Sequence, residues 1–267
     1  MPEFTELTLD AHRDLKVDPR CAIAVAEKQH IITLRVSEVS YAANQFPVFF
    51  SRTNDESNWM ISAINSFEMD KNLFVKDNNW TGSYVPIGMQ TYPFFLMQKE
   101  GKEKEFCIGI DEKNSAFSKT EGEPLFMEDE KASPMLSRAT QLLELELNNE
   151  VQTVKFGRYM DEHKLIKEVD VLVKYQDGRI NTLKGLNTVD EAAFNELSDE
   201  DVLEMRKLGY LLPMYSMLTS SFQLNTLLVR HNDTFDNKIV QVNLDKPGAA
   251  AEAAKAASTA DKDSKAS

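Results

Sequence analysis

Phe46-Pro47-Val48-Phe49-Phe50 opens a stretch, ending at Leu96, in which aromatic residues and prolines recur. Each aromatic ring supplies a large apolar area, and each proline fixes φ near a turn or a strand edge. The pattern predicts short strands, separated by turns, around one aromatic core. We therefore expect a β-rich part over residues 21–120, preceded by an N-terminal arm over residues 1–20. The later members of this aromatic block are Trp59, Asn72-Leu73-Phe74-Val75, Trp80, Tyr84-Val85-Pro86 and Tyr92-Pro93-Phe94-Phe95-Leu96.

Strand patterns flank the aromatic block on both sides. Residues 22–39 are strand-rich in pattern, and residues 30–36 are β-branched and partly alternating. Residues 94–98 and 105–111 predict a hairpin across the polar turn Glu100-Gly101-Lys102.

Helical signals dominate after residue 120. Pro134 after Ser133 predicts a helix that runs to about Asn149, because proline fits a first turn. Residues 169–175 and 180–186 predict a hairpin around Asp177-Gly178. A short helix follows over residues 190–197, and Ser198 and Gly209 have the residue types that cap the next helix. Pro213 begins a long last helix that reaches about His231.

Together these patterns predict an α+β fold, with a β-rich N-terminal part and a helical C-terminal part packed against it. Residues 121–246 form the mixed, mainly helical part of the same domain. No large apolar residue follows Leu244, and residues 247–267 are mostly Ala, Lys, Asp and Ser. Such a segment cannot build a core, so we expect a disordered tail.

Composition limits the classes of partner. The 267-residue chain carries a formal net charge of −13, which would repel nucleic acid and anionic membranes. Two distant cysteines predict a reduced protein without disulfides. The first residues are acidic and lack the apolar segment of a secretory signal, so we expect a cytoplasmic location, with signal-independent export as the remaining route to the surface.

Residues 209–229 contain no charged side chain and have the length of a membrane span. Serine, threonine, asparagine and glutamine interrupt the segment, which would be costly in hydrocarbon. We expect a helix buried in protein and no membrane insertion.

Standard catalytic signatures are missing: the sequence has no phosphate loop, dinucleotide glycine motif, HExxH motif or nucleophile elbow. Asp161 and His163 form an Asp-x-His pair, but no second histidine follows at a defined distance, so we favour an exposed helix face. We expect no metal site and no cofactor. A non-catalytic protein is favoured over an enzyme.

The aromatic residues are the candidate ligand-binding surface. Trp and Tyr offer apolar faces with polar edges, which can stack on a sugar, a peptide or an aromatic compound. The alternative, favoured by their density in a β-rich region, is that they are core residues. Tyr84 and Tyr92 are the best exceptions, because each lies near a proline turn where the chain meets solvent. The candidate residues are Trp59, Trp80, Tyr84, Tyr92 and Tyr215.

The order and spacing of several motifs over residues 38–232 resemble the SapC family of bacterial proteins. The resemblance implies a link to a bacterial surface layer or to outer-membrane uptake; it is not to the peptide-transporter permease of the same name. Relatives tend to carry arginines just before the Tyr-Pro-Phe element, where this chain has Gln90-Thr91. The motifs are Phe46-Pro47-Val48-Phe49, Asn72-Leu73-Phe74-Val75, Trp80, Tyr84-Val85-Pro86, Tyr92-Pro93-Phe94, Glu123-Pro124-Leu125-Phe126, Gly185-Leu186, Leu208-Gly209-Tyr210 and the run from Met214 to Ser220.

Two functions follow as hypotheses. The first is a SapC-like, non-catalytic accessory protein that binds a protein partner beside a surface-layer or uptake system. The second is an enzyme or small-ligand carrier whose aromatic pocket lies between the aromatic block and the helix of residues 213–231. A filled core with an exposed apolar patch would favour the first, and a concave aromatic cluster would favour the second.

Overall fold

Runs rich in β-branched and aromatic residues form the longer strands of this protein, and several of its helices begin with a side-chain cap. The computed structural model describes residues 4–53, 58–99, 101 and 105–248. Its α+β class agrees with the sequence prediction. The strands are β1 Phe4–Glu6, β2 Lys16–Val17, β3 Ile31–Leu34, β4 Val48–Arg52, β5 Trp59–Ile64, β6 Val75–Lys76, β7 Asn79–Trp80, β8 Phe95–Gln98, β9 Phe106–Asp111, β10 Phe117–Ser118, β11 Glu123–Pro124, β12 Ile166–Tyr175, β13 Ile180–Val189 and β14 Ile239–Asp245.

Helices lie mainly in the second half of the chain. A 3₁₀ helix, Val36–Glu38, directly precedes α3. The α-helices are α1 Leu9–His12, α2 Cys21–Ala26, α3 Val39–Ala42, α4 Ile87–Thr91, α5 Pro134–Glu162, α6 Glu191–Asn195, α7 Asp199–Leu208, α8 Leu211–Ser220 and α9 Gln223–Thr234.

The central sheet combines strands from both halves of the chain. Its six antiparallel strands lie in the order β14-β12-β13-β4-β5-β3. The predicted hairpin around Asp177-Gly178 is its β12–β13 pair. β13 then meets β4 through a single register pair, Asn187 opposite Phe50. The N-terminal and C-terminal strands therefore share one sheet.

The main core lies on this sheet, where α5 and α8 cover it. Burial of each phenylalanine side chain stabilises the folded protein by about 2 kcal/mol. The aromatic block is therefore the main source of hydrophobic stabilisation in the N-terminal half. Its largest fully buried side chains include Phe46, Phe49, Phe50, Phe74, Phe156 and Tyr175.

A second core lies beside the N-terminal half of α5. There the predicted hairpin is confirmed as β8 and β9, which pair from Phe95–Gly109 to Gln98–Phe106. Its turn, at residues 100 and 102–104, lies largely outside the described residues. β1 pairs with the outer side of β9. The side chains that fill this core include Leu15, Val17, Phe94, Ile110, Leu125, Leu136 and Leu143.

Three local predictions differ from the structure. Residues 22–39 hold α2, one strand and a 3₁₀ helix rather than mainly strands. α5 continues to Glu162 instead of ending near Asn149, because its second half is anchored in the protein by the buried side chains of Thr153, Phe156 and Met160. The last predicted helix is divided into α8 and α9 at Ser221 and Phe222.

The division of the last helix has a local cause. The hydroxyls of Ser220 and Ser221 donate to the carbonyls of Met217 and Leu218, at 2.6 and 2.8 Å. Such bonds compete with the backbone ladder. The backbone then changes to 3₁₀ spacing, with the Phe222 amide donating to the Thr219 carbonyl at 3.2 Å.

The predicted tail falls outside the described residues from residue 249 onward. Within the described part of the chain, no helix combines the length and apolarity needed to cross a membrane. Cys21 is buried and Cys107 is half-buried, and both thiols are free.

Candidate functional site

The five aromatic residues predicted as a ligand-binding set are divided among different parts of the structure. Trp59, Trp80 and Tyr84 pack against the main core, and Tyr92 packs against the second core. Tyr215 lies on α8 with 49% of its surface exposed. No ring contact joins any two of the five, all of which the structure describes. They therefore do not form a single stacking platform.

Trp80 and Tyr84 lie together through the backbone of their connecting loop. The Trp80 indole N–H and the Gln45 amide both donate to the Tyr84 carbonyl at 2.9 Å. The Gln45 side-chain oxygen accepts from the Ser83 amide at 2.6 Å. The Trp80 ring stacks on Phe74, 5.9 Å between centroids. The indole N–H and one face of the Trp80 ring are therefore both occupied by contacts within the protein.

The Tyr84 hydroxyl ends at a buried carboxylate. Glu38 is 3% exposed, and its Oε1 accepts from the Tyr84 hydroxyl at 2.7 Å and from the Ile87 amide at 2.8 Å. The other carboxylate oxygen accepts from the Arg35 amide at 2.8 Å. Burial raises the pKa of Glu38, against the opposing effect of these three hydrogen bonds. Burial and the neighbouring Glu38 carboxylate also raise the pKa of Tyr84.

The exposed aromatic face near this loop belongs to Tyr41, which the sequence analysis did not single out. Its ring stacks on Tyr84 at 6.0 Å, with an interplanar angle of 16°, and is 64% exposed. A tyrosine on a short helix of a β-rich region carries no sequence signal for exposure, so this residue could be found only from the structure.

Trp59 is covered from one side by an arginine. The Arg52 guanidinium lies 3.6 Å from the centre of the indole ring and also bonds Asp161 at 3.2 Å. Gly157 of α5 approaches the Trp59 side chain closely. Asp161 therefore pairs with Arg52 rather than acting together with His163.

Tyr92 lines a cavity of about 270 Å³ between α2, α4 and α5. Its hydroxyl accepts a hydrogen bond from the Asn114 amide at 2.8 Å. Arg138 of α5 also lines this cavity and donates to Gln90 Oε1 at 3.0 Å. Arg138 of α5 therefore places a positive charge beside Gln90-Thr91, where relatives tend to carry arginines in the sequence itself.

A second cavity, of about 450 Å³, lies between the aromatic block and α9, where the sequence placed a pocket. Arg230 is its main charged group: the guanidinium lies 4.2 Å from the centre of the Phe74 ring and donates to the Leu73 carbonyl at 3.3 Å and Thr81 Oγ1 at 3.1 Å. Burial lowers the pKa of Arg230. None of the five predicted aromatics lines this cavity.

The helix of Tyr215 presents an exposed apolar face. Leu212 is 65% exposed, and residues 212, 215 and 219 recur at helical spacing along α8. Phe222 is 73% exposed and lies two residues after the end of α8, at the junction with α9. We call Leu212, Tyr215 and Phe222 the α8 face. The opposite side of α8 buries Met214, Met217 and Ser220. The sequence identified Tyr215 but missed the other two, since α8 is apolar on both sides.

Ser220 fixes the α8 face relative to the central sheet. Its hydroxyl accepts from the buried Val48 amide of β4 at 3.0 Å. Because backbone and side chain are both buried, this bond holds the helix at one position on the strand.

One comparison with known proteins gives a match. The model of the family described as SapC matches residues 7–227. No curated protein and no solved structure matches the chain.

Proposed function

The chain belongs to the SapC family, and we propose from its exposed α8 face that it is a non-catalytic accessory protein that binds another protein of a bacterial surface-layer or outer-membrane uptake system. The observation that carries this proposal is the exposure of Leu212 and Tyr215 on one side of α8, whose other side is buried, together with the exposure of Phe222 at the junction that follows α8. Apolar side chains grouped on a surface are typical of protein–protein contacts.

The aromatic residues of the N-terminal half give weaker support to a stacking pocket. Trp80 uses its indole N–H on the Tyr84 carbonyl, and Tyr84 uses its hydroxyl on Glu38. Groups already bonded inside the protein are not free to orient a sugar or a peptide. This favours the binding of a protein over that of a small aromatic ligand.

Charge indicates what the partner surface looks like. The chain has a net charge of −13, and the helix that leads into α8 begins with Asp199, Glu200 and Asp201. Complementary charge speeds association and excludes wrong partners. We therefore expect a partner with an apolar centre that fits the α8 face and a rim of lysine and arginine. The expected meeting place is the cytoplasmic side, before export of that partner.

The test compares two double variants in a pull-down from the native host at low salt. Leu212→Ser/Phe222→Ser removes the α8 face, and Leu145→Ser/Val151→Ser removes two exposed apolar residues of α5 as a control. We expect one stoichiometric protein partner with the wild type and the α5 variant, and its loss with the α8 variant. Circular dichroism melting checks that all three proteins are folded.

Three outcomes would contradict the proposal. The partner is captured equally by both double variants; the wild-type protein is recovered alone; or the wild type associates only with itself. In the last case sedimentation velocity would give a dimer that the α8 variant abolishes, and the face would be a homodimer contact.

A small-ligand carrier is the second candidate function, supported by the cavity beside Arg230. The cavity has the size of a small-molecule site, and its arginine bonds only neutral oxygens within the described residues. Native mass spectrometry would detect a retained ligand in the wild type and its loss in Arg230→Gln. A matched Lys76→Gln variant changes a charge at the same cavity. An unmodified wild-type mass would argue against this function.

A further inference from the structure

Three potential metal ligands from two helices meet at the end of α5. A ring nitrogen of His163, a carboxylate oxygen of Asp201 and one of Glu204 lie within 4.8 Å of one another. His163 directly follows α5, and the two acids lie three residues apart on α7. Residues three apart on a helix face the same side, so both carboxylates can reach one ion.

The imidazole of His163 bonds the backbone through one nitrogen, and the other has no hydrogen-bond partner among the described residues. Its Nδ1 lies 2.9 Å from the Tyr159 carbonyl, which can only accept a hydrogen bond. Nδ1 therefore carries the proton, and the lone pair of the neutral ring is on Nε2. The ring also stacks on Tyr159, 3.9 Å between centroids. A backbone carbonyl on the outer nitrogen is the usual support of a histidine that binds a metal.

The carboxylates retain free oxygens. Asp201 accepts from the Ser198 hydroxyl through Oδ2 at 2.8 Å, which leaves Oδ1 without a partner among the described residues. Glu204 makes no hydrogen bond or ion pair to any residue that the structure describes. Two like charges at this separation repel each other, and a divalent cation would remove the repulsion.

A buried hydroxyl beside the three ligands supplies an independent observation. Tyr159 is 9% exposed, and its hydroxyl has no hydrogen-bond partner in the described part of the chain. Buried polar groups are nearly always bonded to protein, water or a ligand. The ring that carries this unpartnered hydroxyl stacks on His163, one of the three ligands.

We propose that His163, Asp201 and Glu204 bind one divalent transition-metal ion, with Zn²⁺ as the first candidate. One imidazole nitrogen and two carboxylate oxygens suit Zn²⁺, Mn²⁺ or Fe²⁺ better than Mg²⁺ or Ca²⁺, which take oxygen ligands alone. Three protein ligands leave a position for water. The unpartnered Tyr159 hydroxyl, on the ring that stacks on His163, is the candidate hydrogen-bond partner of that water.

The three ligands share no residue with the α8 face, and the proposal does not depend on the proposed function. The ligands come from the C-terminal end of α5 and from the third and sixth residues of α7, so the ion would join the two helices. From sequence alone the set is invisible, because Asp201 and Glu204 follow His163 by 38 and 41 positions, in another helix. The neighbour that sequence suggested, Asp161, bonds Arg52 instead.

Isothermal titration with Zn²⁺ tests the proposal on the untagged full chain, after removal of metal with a chelator. His163→Gln and Glu204→Gln each remove one ligand at nearly constant size. Glu200→Gln removes an exposed acid of the same helix outside the set. We expect one Zn²⁺ per chain for the wild type and Glu200→Gln, and at least tenfold weaker binding for both ligand variants.

Co²⁺ in place of Zn²⁺ gives a second readout, since visible d–d absorption reports a nitrogen–oxygen site of low coordination number. We expect this spectrum in the wild type and Glu200→Gln but not in His163→Gln. Absence of stoichiometric binding by the wild type would overturn the proposal. So would equal binding by the wild type and either ligand variant, which would place the ion elsewhere.

Discussion

The Tyr84 hydroxyl donates a 2.7 Å hydrogen bond to Glu38, a carboxylate that is 3% exposed. Through this bond and that from the Ile87 amide, the loop that carries Tyr84 is attached to the end of the 3₁₀ helix. The same carboxylate caps the N-terminal end of the 3₁₀ helix by accepting from the Arg35 amide. One buried charge thus holds two segments that lie far apart in sequence.

Tyr84→Phe should destabilise the protein by about 2 kcal/mol, because it removes a hydrogen bond to a buried charged group and leaves the ring in place. Urea unfolding, followed by circular dichroism, measures the change. Tyr41→Phe is the matched control: its ring stacks on Tyr84, but its hydroxyl has no hydrogen bond to a described residue. An equal loss in both variants would assign the effect to ring packing.

Stability should depend on pH through Glu38. Burial raises its pKa above the ordinary value of 4.5, so the folded state holds the proton more tightly than the unfolded state. The resulting stabilisation is complete below the unfolded pKa and is lost as pH rises through the folded pKa. The measured quantity is the free energy of unfolding of the wild type minus that of Glu38→Gln. This difference should fall as pH rises from the unfolded pKa to the folded pKa of Glu38, and should be constant above it.

Urea unfolding at a series of pH values measures that difference, and other carboxylates cancel in the subtraction. A difference that grows as pH rises from below 4.5 would contradict the prediction. It would mean that the hydrogen bonds from Ile87, Arg35 and Tyr84 outweigh burial, so that the pKa of Glu38 is lowered.

Gly157→Ala should destabilise the protein although alanine is the better helix former. A Cβ at residue 157 would lie 2.6 Å from Trp59 Cβ, an atom fixed to the backbone of β5. Overpacking costs about 1–3 kcal/mol, against a helix-propensity gain of about 1 kcal/mol. We expect a net loss of about 1 kcal/mol in urea unfolding.

Gly88→Ala in α4 is the control for that measurement, because a Cβ there meets no atom within 4 Å. It should leave stability unchanged or raise it by up to about 1 kcal/mol. A gain at both positions would show that Trp59 and α5 separate easily.

Local signals predicted the elements that depend on neighbouring residues. Asp177-Gly178 predicted the β12–β13 hairpin, because Gly178 takes the φ of 88° that the turn between Tyr175 and Arg179 requires, a conformation that glycine adopts without strain. Ser198 caps α7 by accepting from the Asp201 amide at 3.2 Å, and Gly209 adopts φ of 77° after it. These effects need no distant partner.

The sequence did not predict the features that depend on contacts between residues far apart in the chain. The meeting of Asn187 with Phe50 decides how the two halves share a sheet, and neither residue signals the other. Only burial distinguishes Glu38 from the many other acids of the chain. On α8, apolar residues occupy both sides, and the pattern did not single out Leu212 and Phe222 as exposed.

Ser220→Ala should cost about 1–3 kcal/mol, because it leaves the Val48 amide of β4 without its acceptor in a dry core. Both residues are at most 1% exposed, so water cannot replace the hydroxyl, which accepts from that amide at 3.0 Å. Ser221→Ala is the matched control, since that hydroxyl bonds only the Leu218 carbonyl one turn earlier. Urea unfolding of the two variants separates the contact with β4 from the helical bond that both serines make. Equal stabilities would mean that α8 is held on the sheet by Met214 and Met217 alone, and that the position of the α8 face depends on apolar packing rather than on this hydrogen bond.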